Sequence, residues 1–232
     1  MRKISLLGLI GVGSLLFTSA ASATSLINPS EANIAGSVTV TNTSVVFDHL
    51  VVTGPNVGSF EGISSLTLQA LTNPTGPVSG PVNIAGFASF TGGAETVNFD
   101  LTNIFAGAGS MAGCANNTVG NVCTVTNSPF TLVQLAPGQV SLGLSLSGIA
   151  YTGDRASGTS DASFSFTSQN TLPGTITGIL AAAQSAEGFT NSFSATISAS
   201  SPAATPEPAT YGLMGMGLAA AGMLFRRRKS QN

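Results

Sequence analysis

The sequence predicts an all-β fold: an antiparallel β-sandwich of jelly-roll type over residues 24–200, with a closed barrel as the second choice. Three observations predict it. Apolar and polar residues alternate with period two in many short runs. The apolar positions of those runs are rich in β-branched and aromatic residues, which suit a half-buried pleated surface. Clusters of Gly, Pro, Asn and Asp separate the runs at hairpin intervals.

Taken in order, strands are expected near 35–42, 44–53, 63–71, 82–91, 95–104, 121–126, 130–135, 139–151, 160–169, 174–183 and 188–200. Ser37-Val38-Thr39-Val40-Thr41 alternates cleanly, as does Val97-Asn98-Phe99-Asp100-Leu101. Leu142, Leu144 and Leu146 share one parity, and so do Phe164 and Phe166, and Phe193, Ala195, Ile197 and Ala199. The run from Val45 to Val52 has apolar residues at both parities, which predicts a central strand covered on both faces. Turns are expected at Thr53–Asn56, Asn73–Pro77, Gly92-Gly93, Ala136–Gly138, Gly153–Arg155 and Leu172–Gly174, where Gly and Asn supply positive φ and Pro presets a corner. Residues 178–187 are the one stretch where a helical turn competes with a strand. No solenoid period is present.

The two ends of the chain differ from the body. Arg2-Lys3, the apolar run Ile4–Phe17 and the small residues Ala21-Ser22-Ala23 form a secretory signal peptide over residues 1–23, cut after Ala23 or alternatively after Ala20. At the other end, residues 201–205 read as a linker. Pro206-Glu207-Pro208 follows, extended because each proline fixes its own φ and pushes the preceding residue out of the helical region. Residues 209–225 carry no charge and no proline. Their 17 positions reach the short end of the ~17–25 that cross a bilayer. Arg226, Arg227, Arg228 and Lys229 then form a basic stop that stays cytoplasmic under the positive-inside rule, which puts the body on the far side of the membrane.

With those ends set aside, residues 24–205 hold one arginine, Arg155, no lysine, and eight acids. Their net charge is −7, although the whole chain carries −2. A lysine-free, acidic body excludes nucleic-acid binding, which needs basic side chains to neutralise phosphate, and equally a surface that lies on anionic lipid. Roughly a quarter of the body is Ser and Thr, well above average usage.

Candidate chemistry is sparse. Cys114 and Cys123 are the two cysteines, and in an exported chain they predict a disulfide closing a short loop. Two sulfurs without nearby histidines do not make a zinc site. His49 is the one histidine, and its parity with Phe47 and Val51 predicts a hydrogen-bonded position within or at the edge of the core. Asp48 beside it points to the other face, so the two do not form a catalytic pair. No Gly-x-Ser-x-Gly elbow occurs in the body. Asp154, Arg155 and Asp161 lie in one glycine-bearing loop, where carboxylates suit Ca²⁺ but Arg155 opposes it. A solvated turn is the favoured reading. Glu95 and Asp100 are the nearest approach to a glycosidase pair, and the absence of Trp weakens any sugar-cleft reading. Thr39-Val40-Thr41-Asn42-Thr43 has the spacing of a threonine ladder but is not repeated on successive runs. No cofactor is expected.

The order Pro206-Glu207-Pro208, short Gly/Ala-rich helix, Arg226-Arg227-Arg228 resembles the tail of PEP-CTERM sorting-domain proteins. The resemblance is limited to residues 206–229 and does not extend to the body. It implies recognition by exosortase, a membrane-embedded cysteine transpeptidase that removes the tail, in a Gram-negative bacterium that makes exopolysaccharide. The expectation is a non-enzymatic structural or adhesive protein of the cell surface or extracellular matrix. It would be held transiently in the inner membrane with its body periplasmic, and matrix polysaccharide is a possible partner. A carbohydrate- or Ca²⁺-binding module is the alternative, and a secreted hydrolase the third.

Overall fold

The structure, a computed structural model, describes residues 29–72, 78–168 and 174–200. The signal peptide with Ala21 and Ala23, the linker 201–205, the sorting motif Pro206, Glu207 and Pro208, the apolar run 209–225 and the basic stop 226–229 lie outside the described residues. So do the Asn73–Pro77 turn and Leu172-Pro173.

Among the described residues eleven strands form one antiparallel sheet: β1 Ser30–Val40, β2 Ser44–Val57, β3 Ser65–Leu68, β4 Leu71–Thr72, β5 Gly80–Thr91, β6 Val97–Ile104, β7 Val122–Cys123, β8 Phe130–Ala136, β9 Gln139–Thr152, β10 Ser160–Ser168 and β11 Phe189–Ser200. The all-β class and most strand positions follow the alternation. β1 starts earlier than the pattern suggested, because Glu31, Asn33 and Gly36 are poor strand formers and their pairing comes from β11 and β2 instead.

The sheet is continuous rather than split into the two separate sheets of a sandwich. Its order is β3-β5-β6-β9-β10-β11-β1-β2-β4, with β7 and β8 branching from β9. β9 is long enough to serve two partners: its first half pairs with β8 from Gln139 to Leu144, and its second half with β6 from Leu146 to Thr152. The order begins on β3 and ends on β4, which lie only a few residues apart in the chain. Residues 65–72 thus bind the β5 margin through β3 and the β2 margin through β4, helped by the Gln69 N–H donating to the Phe87 carbonyl at 2.8 Å. One stretch of chain joins both margins of the sheet and curls it. Bulges in β1/β2, β5/β6, β6/β9 and β8/β9 add the local twist that such curling needs.

The core fills the curl. Phe47 of β2 stacks on Phe166 of β10 at 5.0 Å and meets Phe87 of β5 edge-on at 6.3 Å, so side chains from opposite margins touch. Phe99, Phe164 and Phe193 complete the aromatic cluster. Each buried phenylalanine contributes about 2–3 kcal/mol of apolar burial.

Two expectations are corrected. β2 is not central: it pairs with β1 on one side, but with β4 only at Ser44 and Val45 on the other, and Val51 is 53% exposed. The apolar residues at both parities come from a bulge, because His49 and Leu50 stand opposite the single residue Gly36. His49 takes a positive φ of 50°, and Gly36 admits the bulge because a Cβ there would lie 2.8 Å from the Asp48 carbonyl oxygen. The second correction is residues 174–183. They form no strand but enter the one α-helix among the described residues, α1 Ile176–Gln184. The Thr175 side chain caps it by accepting from the Gly178 N–H at 3.2 Å, and Ala181–Ala183 favour a helix.

Candidate functional site

β1 and β11 run side by side from Ser30 and Ser200 at one end of the curled sheet to Val40 and Phe189 at the other. The chain therefore enters and leaves the body at one pole. The far pole is about 36 Å away by strand rise. It carries α1, the disulfide and a cleft of about 240 Å³. The floor of the cleft is core: Val40, Leu132, Leu142, Ile179 and Phe189. Its rim is neutral and polar, with Thr41 and Asn42 from the β1–β2 turn, Thr126 and Asn127 from the β7–β8 loop, and Gln184 from α1.

The walls of the cleft are held by side-chain amides. Gln134 of β8 is 1% exposed. Its Nε2 lies in donating range of the carbonyls of Ala136, Gln139 and Gly174 at 2.8, 3.2 and 3.0 Å, and its Oε1 accepts from the Ile176 N–H at 3.3 Å. One buried amide thus ties the β8–β9 hairpin to the first turn of α1. Gly174 makes the approach close: with φ at +83°, a Cβ there would lie 2.7 Å from the Gly138 carbonyl oxygen. Asn117 holds the same turn from outside, accepting from the Thr177 N–H at 3.1 Å and donating to its hydroxyl at 3.0 Å. Cys114 and Cys123 are bonded as expected, with Cα atoms 4.7 Å apart, and Cys123 lines the cleft. Closing so short a loop stabilises the fold by roughly 2–3 kcal/mol on the chain-entropy model.

A second constellation was not legible in the sequence. Asp100 lies on the face of β6 opposite Phe99 and Leu101 and is only 2% exposed. Its Oδ1 accepts from the Gly86 N–H at 2.7 Å and from the Tyr151 hydroxyl at 3.2 Å. Its Oδ2 pairs with Arg155 Nη1 at 2.9 Å. The one arginine of the body is therefore spent on its most deeply buried acid. Burial, and then the Asp100 carboxylate, push the Tyr151 hydroxyl above its ordinary pKa of 10.0.

The remaining predicted residues scatter. Asp154 caps the short 3-10 turn Arg155–Ser157 by accepting from the Ala156 N–H at 3.0 Å, while Asp161 sits on β10 opposite Ser200. Arg155 points to Asp100, so these three residues do not converge on a cation. Among the described residues no group of three or more His, Cys, Asp or Glu is placed to hold a metal. Glu95 is exposed in the β5–β6 turn, whereas Asp100 is buried. His49 is exposed rather than at the core edge, because the bulge turns it outward. Its Nδ1 lies 3.1 Å from the Ser37 hydroxyl, a partner the sequence did not suggest. The same hydroxyl also lies 3.2 Å from the Asp48 carbonyl oxygen. The threonine run breaks at Val40: Thr39 bonds across to Thr190 at 2.7 Å, but Thr41 and Thr43 belong to the turn.

Residues 204–229 match the family model of the PEP-CTERM protein-sorting motif. That span holds Pro206, Glu207, Pro208, the apolar run and Arg226 to Lys229. The motif implies an exported protein with exosortase as its processing partner, and the match stops at the tail. No curated protein matches the chain, and no solved structure does. Among the described residues no helix is long and apolar enough to cross a membrane.

Proposed function

We propose, from a tail that carries the PEP-CTERM sorting motif, that this chain is a non-enzymatic structural or adhesive protein of the envelope or extracellular matrix. The signal peptide 1–23 drives export. The run 209–225 parks the chain in the inner membrane and Arg226 to Lys229 stop it there. Exosortase then cuts near Pro206-Glu207-Pro208 and releases the β body to the cell surface.

The tail is the single observation that carries the reading. Replacing Pro206, Glu207 and Pro208 together by Ala tests it through the mass of the protein recovered from cells. The expected wild-type product lacks both ends, and the variant keeps its tail and stays in the membrane. Unchanged processing and surface delivery of the variant would sink the proposal.

The non-enzymatic part rests on the side chains. His49 is exposed, and the Ser37 hydroxyl beside it is also within 3.2 Å of the Asp48 backbone carbonyl. Asp100 is fully occupied by neighbours. The adhesive part rests on the outer face of the central strands. Ser165 of β10 lies in register between Ser145 of β9 and Thr196 of β11, and Ser163 between Ser147 and Ser198. This hydroxyl surface, bordered by Glu31 and Asp161, suits contact with a hydrated matrix polysaccharide.

A further inference from the structure

We propose that the cleft at the far pole binds an uncharged, mainly aliphatic group of a small ligand, with its polar end at the rim. The floor continues into the core: Phe130 and Leu142 line both the cleft and a small void of about 10 Å³ beneath it, whose other walls include Val45 and Phe166. An apolar group entering the cleft meets a lining that is mainly carbon, with Cys123, Thr124 and Ser128 among its walls.

The polarity is set by what surrounds that floor. Thr41, Asn42, Thr126, Asn127 and Gln184 offer hydroxyls and amides at the opening. No described residue lining the cleft carries a charge. The body has no lysine, and Arg155 is held on Asp100 beyond the other end of β9. A carboxylate or ammonium group carried into the cleft would be desolvated without a partner, whereas an alcohol, ester or amide would find neutral donors and acceptors. The size is set by the volume. At about 30 Å³ for a water-sized group, 240 Å³ holds about eight non-hydrogen atoms. The site is preformed, because Gln134, Asn117 and the Cys114–Cys123 bond fix its walls before any ligand arrives.

1-Hexanol, hexanoate and hexylammonium are matched probes that differ in charge. The full chain in lipid nanodiscs, labelled at the Ile and Leu methyls, is titrated with each by NMR at neutral pH. The expected result is saturable movement of the Ile179 and Leu180 methyls with 1-hexanol, at least tenfold weaker binding of both charged probes, and loss of binding in Ala183→Trp. Thr126→Trp, on the exposed rim, is expected to block the mouth even if the first variant does not fold, and the Ile197 methyl reports the fold of each. No saturable movement with 1-hexanol, equal affinity for hexanoate, or undiminished binding in both tryptophan variants would overturn the proposal. The sorting variant with alanines at 206–208 is expected to bind 1-hexanol normally, so failure here and failure of tail processing are separate results.

Discussion

At the scale of single residues, Asp100 and Arg155 make the most asymmetric pair in the body. The carboxylate is buried and the guanidinium is 53% exposed. Removing either partner breaks the same contact but leaves different remainders. Arg155→Gln leaves a buried carboxylate held by two neutral donors, a loss of about 2–3 kcal/mol. Asp100→Asn leaves a cation that water can solvate, a loss of about 1–2 kcal/mol. Thermal melts of the purified chain are therefore expected to rank Arg155→Gln below Asp100→Asn, and to place the double variant near Asp100→Asn alone, because it holds no unpaired buried carboxylate. The opposite ranking would mean that the pair acts mainly through the loop that carries Arg155. The sequence could not show this pair, because the two residues are 55 positions apart in its numbering and β9 brings them together. Arg155 and the acids close to it in sequence suggested a loop cluster instead. The disulfide was legible because two cysteines in an exported chain leave one pairing.

At the scale of elements, the alternation located strands well wherever one face is apolar and the other polar, as in β6, β9, β10 and β11. It misled in two places for definite reasons. A bulge inverts parity within β2, so His49 and Val51 lie outside although the pattern paired them with Phe47. The α1 segment is small and apolar, and its helical state depends on the Thr175 cap and on Gln134, forty-two residues away from the N–H it receives. Gln134→Leu fills similar space but leaves the Gly174 carbonyl and the Ile176 N–H without that partner. We expect a loss of about 2–4 kcal/mol, concentrated in α1. Hydrogen exchange should show the amides of Ile179 and Leu180 losing protection while β10 and β11 keep theirs. Uniform loss across the sheet would show that Gln134 supports the whole core and not the cleft wall.

At the scale of the whole molecule, the hydroxyl face and the two poles give the proposed adhesive role a direct check. Co-sedimentation of the chain with the matrix polysaccharide of its own cells should weaken when Ser163, Ser165 and Thr167 are all replaced by Val, and stay unchanged with Leu135→Ala on the exposed flank. Equal sedimentation of both variants would rule the hydroxyl face out as the contact. The curled closure itself was not readable from the chain, since residues 65–72 contribute only two short runs whose joining of two margins is a property of the finished sheet. The shared pole of β1 and β11 has a mechanical consequence. While the tail holds the chain at Ser200, a pull on the far pole acts along β11, between β1 on one side and β10 on the other. Hydrogen bonds between antiparallel strands lie across the strand direction. Such a load shears both ladders at once and shares the tension among all their bonds, whereas a pull across the strands would open them one at a time. A body tethered in this orientation is stiffest along the line on which its anchor and its exposed end would be drawn apart.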